Sequence, residues 1–186
     1  MENINWNELR DRAYQNAVNH GWHDEVHSDN HYMMLVVTEL SEAVEAERKG
    51  KYAQRVMFEQ NFDTPQVNPE EHWKFCFETF IKDSVEDELA DAVIRLLDYA
   101  GMYDIYIEVK HFTEERYIYL SEIFKGYSLT ELIYAVIQML SKSLTITDVL
   151  CYIFAIAWHY KMDLLWHIEQ KMKYNEMRPY KHGKKY

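Results

Sequence analysis

A chain of 186 residues, 48% of them hydrophobic, is long enough for one domain with a substantial core and too short for two complete ones. Its formal net charge of −11 disfavours nucleic acid or an anionic membrane surface as a partner of the whole protein. Five glycines and three prolines are too few for a turn-rich all-β fold or a disordered chain.

Helical periodicity dominates, which predicts an all-α fold. A first helix is expected over about 5–20, stopping at Gly21. Ser28 or Asp29 is the expected N-cap of a second, running through "HYMMLVVTELSEAVEAERK" to Gly50. Over 51–82 the pattern weakens around Pro65 and Pro69, giving an exposed connection followed by an irregular or helical stretch. The next helix starts at about Glu70 or at Ser84 and runs to Ala100, with Gly101 as its stop. Residues 102–127 read either as a strand, from the alternation in "MYDIYIEVKHF", or as tyrosine-rich helix. Helix returns over about 128–141 and 147–178, with a break near 161–163, and Pro179 ends it. The closing "HGKKY" is expected to be a mobile tail.

The start, "MENINWNELRDRAY", is charged from its first residues, unlike a signal peptide, and the longest apolar run, 149–158, is ten residues, too short to span a bilayer. Cys76 and Cys151 are too few for a disulfide framework and read as reduced, buried thiols. The expectation is a cytoplasmic protein with no membrane or nucleic-acid partner.

The segment "TELSEAVEAERKG" places Glu39, Glu42 and Glu45 three residues apart on one helix. Glu39 and Glu42 share their face with Leu35, Ala43 and Ala46, so they interrupt an apolar stripe, which implies partial burial. A second pair lies in "EDELADAVIRLLDYAG", where Glu88 and Asp91 repeat the spacing and Arg95 and Asp98 fill the same narrow arc. Taken alone, that arc is the wet side of an amphipathic helix. Every other position from 89 to 100 is apolar or tyrosine, an arc wider than one neighbour covers, and this fits a bundle completed by oligomerisation.

Like charges at helical spacing cost only a few tenths of a kcal/mol on a wet surface, roughly 0.2–0.5 per pair. Two charges about 4 Å apart at an effective dielectric of about 20 repel by roughly 4 kcal/mol. Four carboxylates facing one cleft must therefore be protonated, paired with Lys or Arg, or bridged by a hard cation. All-oxygen ligation suits Mg²⁺ or Mn²⁺ rather than zinc.

At the other end, "QKMKYNEMRPYKHGKKY" sets Lys171, Asn175 and Arg178 at i, i+4 and i+7 on one helical face. Such a stripe can hold phosphate oxygens. Cations suiting the dipole of the last turn explain Arg178 but explain Lys171 and Asn175 poorly. Residues 171–186 carry six Lys or Arg and one Glu, a net +5, which leaves −16 on the rest of the −11 chain. An acidic cluster and a basic face in one small domain point to a metal–polyphosphate ligand.

The strings "ELSEAVEAERKG", "VEDELADAVIRLLDYAG" and "KMKYNEMRPYKHGKKY", in this order, resemble the MazG-like members of the all-α nucleoside triphosphate pyrophosphatase superfamily. The run-in "HGWHDEVHSDNHYMMLVVTELSEAVEA" is similar to what precedes the family's first motif. The resemblance covers three segments spread over most of the chain. It implies a single helical domain over 1–186 of the four-helix-bundle type, assembled as a homodimer or homotetramer. It also implies Mg²⁺-dependent hydrolysis of a nucleoside triphosphate to the monophosphate and pyrophosphate. Glu39 and Glu42 match the E-x-x-E metal ligands, Glu88 and Asp91 the E-x-x-D ligands, and Lys171, Asn175 and Arg178 the phosphate-binding K-x-x-x-N-x-x-R. Glu42 and Glu39 are the implied catalytic carboxylates, with Glu42 either bridging metal ions or accepting a proton from water.

There are departures from the family pattern. Thr38 stands where the family often has another Glu, and 51–82 is an insertion that either covers the site, forms an oligomer contact or loops out. The basic tail is 179–186. Asp98 has no counterpart in the motifs and is left as an outer-shell residue. Trp22, His27, His31 and Trp73 are either base-stacking aromatics or ordinary core and surface residues. Two rival readings come from other classes. One is a helical interaction module that kept the fold without catalysis. The other is a di-iron carboxylate bundle, which wants two E-x-x-H motifs where this chain has only "EVKH" at 108–111.

Overall fold

The computed structural model describes residues 4–62, 67–142 and 145–183. Among them there are nine α-helices and no strand: α1 Trp6–Asn19, α2 Asp29–Arg48, α3 Arg55–Phe62, α4 Pro69–Phe80, α5 Val85–Met102, α6 Glu114–Phe124, α7 Leu129–Leu140, α8 Ile146–His159 and α9 Leu164–Glu176. Their starts are written in side chains. Asn5, Ser28, Asn68, Ser84, Thr113, Ser128, Thr145 and Asp163 each accept a hydrogen bond from the backbone N–H three residues on, satisfying one of the donors that a helix start leaves open.

Helix α5 is the axis of the fold. It packs against α1, α2, α8 and α9, and Leu89, Ala90, Ala92, Val93, Leu96 and Leu97 are fully buried. The wide apolar arc of this helix is therefore covered within the chain by several neighbours, and oligomerisation is not needed to explain it. No helix among the described residues is long and apolar enough to cross a membrane. Cys76 and Cys151 are both buried free thiols.

Two expected features are corrected. Gly101 does not stop its helix: α5 continues to Met102, and Gly101 serves packing instead, since a Cβ there would lie 2.4 Å from Cβ of Tyr14 on α1. The strand-like alternation of "MYDIYIEVKHF" is real but has no partner strand. Ile107 is buried and Tyr106 is exposed, while α1 side chains meet the backbone polar groups. The Asn7 side chain accepts from Ile107 N–H (3.0 Å) and donates to its carbonyl (3.3 Å), and Arg10 donates to the Ile105 carbonyl (2.8 Å). The stretch then closes in a 3₁₀ turn at Val109–His111 and enters α6.

The insertion 51–82 does not loop out. Helices α3 and α4 pack on each other, and Phe58, Trp73, Cys76, Phe77 and Ile81 build a second small core with Tyr174 of α9. Asp63, Thr64, Pro65 and Gln66 lie outside the described residues. The predicted break at 161–163 is present: Lys161 takes φ 61° and Met162 N–H returns to the Ala157 carbonyl (2.8 Å).

The residues just before the expected mobile tail, Tyr180 and Lys181, are docked. Tyr180–Gly183 forms a 3₁₀ turn, Lys181 N–H donates to the His20 carbonyl (2.9 Å), and Tyr180 hydrogen-bonds Asp24 and presses on Gly21. Gly21 has φ 77°, and a Cβ at that position would overlap the tyrosine ring. Residues 184–186 lie outside the described part.

Candidate functional site

Helix α2 buries Val36, Leu40, Ala43 and Ala46, and the two alanines leave room for α5, which carries Ala90 and Ala92. Because Glu39 sits among these residues on the wheel, it is drawn inward and is 6% exposed, while Glu42 stays exposed at the rim. On α5, Ser84 caps the helix, and Glu86, Asp87 and Glu88 crowd its first turn, where the helix dipole favours negative charge. Glu88 is 4% exposed and Asp98 9%, so the arc through Glu88, Asp91, Arg95 and Asp98 is not a wet side.

These acids meet. One carboxylate oxygen from each of Glu39, Glu42 and Glu88 lies within 4.8 Å of the others, so two helices contribute to one cluster. A second group, Asp83, Asp87 and Glu88, meets the same limit and shares Glu88 with the first. Asp91, the fourth expected ligand, lines the same cavity, but its Oδ2 is held by Lys171 Nζ at 2.8 Å.

Helix α9 closes the cavity from the other side. Lys171 and Asn175, one turn apart, are both buried, and Arg178 follows just past the helix end with Nη1 donating to Asn175 Oδ1 (3.4 Å). All seven residues expected from the sequence, Glu39, Glu42, Glu88, Asp91, Lys171, Asn175 and Arg178, line one cavity of about 200 Å³. Lys171 does more than face it. Its ammonium sits 2.7 Å from Asp87 Oδ2 and 2.8 Å from Asp91 Oδ2, so its charge is engaged by the acidic helix.

The crowding is resolved by internal cations. Arg95 Nε lies 3.0 Å from Glu39 Oε1, and Lys171 serves Asp87 and Asp91. The balance differs from group to group. Burial alone would raise Asp91, but Lys171, helped by Arg95 and Arg178, outweighs it and holds that carboxyl below the usual range. Burial raises Glu39 and Asp91 adds to this, with Arg95 opposing. Glu88 is pushed up to about 8 by burial, with Lys171 opposing and Asp91, Asp87 and Glu42 reinforcing. Burial would lower Lys171, but the two aspartates outweigh it and raise it. Asp87 Oδ1 is buried with no hydrogen-bond partner among the described residues, although Oδ2 is fully engaged.

This donor set fits a hard divalent cation: the cluster is all carboxylate oxygen, and a buried aspartate oxygen beside it has no hydrogen-bond partner among the described residues.

Spacing alone did not indicate Asp87 or His23. Asp87 is the buried anchor of Lys171, and its signal was the doubled acid in "EDELAD". His23 Nε2 lies 2.7 Å from Asp98 Oδ1, which ties the outer end of the arc to the loop before α2. Trp22, His27 and His31 line a smaller neighbouring cavity of about 20 Å³ that shares Trp22, Arg95 and Asp98 with the first, whereas Trp73 belongs to the second core. The "EVKH" pair is elsewhere, with Glu108 ion-paired to Lys110 and 3.5 Å from His111 Nε2. A larger cavity of about 860 Å³ lies beside Trp6, Phe112 and Phe154 and gathers no carboxylate cluster among the described residues. Comparison with models of known protein families, with curated proteins and with solved structures finds no match to this chain.

Proposed function

We propose that the protein is a nucleoside triphosphate pyrophosphohydrolase of the MazG-like kind, cleaving its substrate to the monophosphate and pyrophosphate with Mg²⁺, or Mn²⁺, as cofactor. The observation that carries this reading is the convergence of Glu39 and Glu42 from α2 with Glu88 from α5, in the cavity that Asn175 and Arg178 enter from α9. An acidic cluster facing a basic and amide stripe across a small cavity is complementary to a cation–polyphosphate pair and to little else.

Glu39, Glu42 and Glu88 would hold the cation, with Asp91 beside them. When bound, it supplies neutralisation of the polyphosphate and polarisation of the phosphorus under attack. The chain's own groups do the rest. Arg178 offers a guanidinium fork, and Asn175 a side-chain amide, to the oxygens that gain charge as pyrophosphate leaves. Glu42, the one exposed acid of the triad, would either bridge the cation or take the proton of the attacking water. Lys171 keeps Asp87 and Asp91 in place while facing the same cavity.

The protein is proposed to be cytoplasmic and to act as a homodimer or homotetramer. Ile118, Tyr119, Ile123, Tyr127 and Tyr134, all exposed on α6, α7 and the link between them, give an apolar surface suited to a second copy, and light scattering of the purified protein measures this directly.

The test is incubation with a panel of nucleoside triphosphates and Mg²⁺, assaying pyrophosphate and orthophosphate separately. Pyrophosphate with the monophosphate, lost in Glu42→Gln, is the expected result. Orthophosphate alone would put the cleavage at another bond. No turnover, with metal binding indifferent to Glu42→Gln, would favour a helical interaction module.

A further inference from the structure

Arg95 occupies an unusual place. It is one helical turn beyond Asp91 on α5 and a quarter exposed, and it lines both the acidic cavity and the smaller aromatic one. Among the described residues it is ion-paired with Glu39, Nε to Oε1 at 3.0 Å, a hydrogen bond made by the inner nitrogen of its fork. Its guanidinium carbon is 5.7 Å from the Trp22 ring centroid, so the side chain has an apolar wall to slide along. The other cation inside the cluster is different: Lys171 is 4% exposed and locked between two aspartates.

We infer that Arg95 is a resident counter-ion of the acidic cavity, which yields Glu39 to an incoming divalent cation and turns its guanidinium to the polyphosphate that arrives with it. This rests on the reading of Glu39, Glu42 and Glu88 as a cation site. Glu39 is the acid that both Arg95 and the triad use, so a cation among the three carboxylates and a guanidinium on Glu39 oppose each other electrostatically. Once displaced, an arginine that already borders the cavity offers a guanidinium fork suited to phosphate oxygens. Arg95 is thus a positioning and substrate-binding residue that suppresses cation binding until substrate is present.

The inference predicts opposite effects of one substitution on two ligands. In the full chain, Arg95→Gln is expected to bind Mn²⁺ about tenfold more tightly by calorimetry without nucleotide, since a competing charge is gone. With Mn²⁺ saturating, the same variant is expected to bind inorganic tripolyphosphate about tenfold or more weakly, since a charge-assisted phosphate contact is gone. Arg95→Lys, which keeps the charge and loses the fork, should leave Mn²⁺ binding within about twofold and lose part of the tripolyphosphate affinity. Weakening of both ligands, or no change in tripolyphosphate binding, in an Arg95→Gln variant with wild-type melting behaviour would mean that Arg95 is only structural and would overturn the inference. The cation-site reading fails separately, and takes this inference with it, if wild-type protein binds no Mn²⁺ or if Glu42→Gln leaves Mn²⁺ binding unchanged.

Discussion

The ammonium of Lys171 lies 2.7 Å from Asp87 Oδ2, and the two side chains are 4% and 0% exposed. Leaving one member of a buried pair without its partner costs more than the pair contributes, because the remaining charge cannot return to water. Lys171→Met is therefore expected to lower unfolding stability by about 3–5 kcal/mol, measured by urea denaturation. A loss below about 1 kcal/mol would mean that the pair is not the anchor of α9 on α5.

The acidity of Glu88 gives the metal-free protein a pH dependence. Its folded value of about 8 stands above the ordinary 4.5, so the folded state keeps a proton that the unfolded chain has released, and stability falls as pH rises between these values. His167 acts in the opposite sense lower down. Burial holds it at about 4, below its ordinary 6.5, so its contribution is lost as pH falls through that range. Between about 6.5 and 8 His167 no longer contributes to the slope, and Glu88 acts with the other carboxyls that burial raises, Glu39, Glu86, Asp87 and Asp98. The melting temperature in chelator should fall across this window, and Glu88→Gln, which has no proton to lose, should flatten the slope. Excess Mg²⁺ should raise the melting temperature more at pH 8 than at pH 6.5. An identical slope in the variant would show that Glu88 does not carry it.

Glu42 is exposed, and Gln is nearly as good a helix former as Glu. Glu42→Gln should therefore melt within about 0.5 kcal/mol of wild type. Its pyrophosphate release should nevertheless fall by about a hundredfold or more, since even supporting residues of a metal site cost about 10–100-fold. Activity and melting measured on the same preparation separate a site residue from a structural one.

Gly101→Ala tests packing against propensity. Alanine is better than glycine inside a helix by about 1 kcal/mol. Here the added Cβ would meet Cβ of Tyr14 at 2.4 Å, so α1 must shift away from α5. Overpacking of this kind costs about 1–3 kcal/mol, and a net loss of stability is expected by thermal or urea unfolding. A stabilised variant would show that the α1–α5 contact is loose.

Trp73 is 2% exposed at the centre of the second core, in T-shaped contact with Phe58 at 6.0 Å and stacked on Phe77 at 5.4 Å. Trp73→Ala should cost about 3–5 kcal/mol in urea denaturation. Because Phe77 also stacks on Tyr174 of α9 at 4.7 Å, affinity for tripolyphosphate should fall as well. Loss of stability without loss of affinity would make the insertion a passive addition.

Much of this protein was legible along the chain because its signals are local. Caps such as Ser28 and Ser84 act on the backbone three residues away, so helix starts follow from short strings. The spacing of Glu39 and Glu42, of Glu88 and Asp91, and of Lys171 and Asn175 fixes which side chains share a helical face, since 3.6 residues make a turn, whereas Arg178 lies past the end of α9 at Glu176. The all-helical class followed from this periodicity. The extended stretch around Ile107 shows the limit: its alternation was readable, but Asn7, a hundred residues away in sequence, satisfies its backbone in place of a strand.

The tertiary structure alone decided where charge goes. Whether Glu88 faces water or a cavity depends on α9 lying across α5, which no periodicity encodes, and burial then pushes its carboxyl up to about 8. The same packing matched Lys171 to Asp87 and Arg95 to Glu39, pairings 84 and 56 residues apart. A one-dimensional pattern states which face a residue occupies. Electrostatic energy depends on distance and on the exclusion of water, and both are set only when the faces meet.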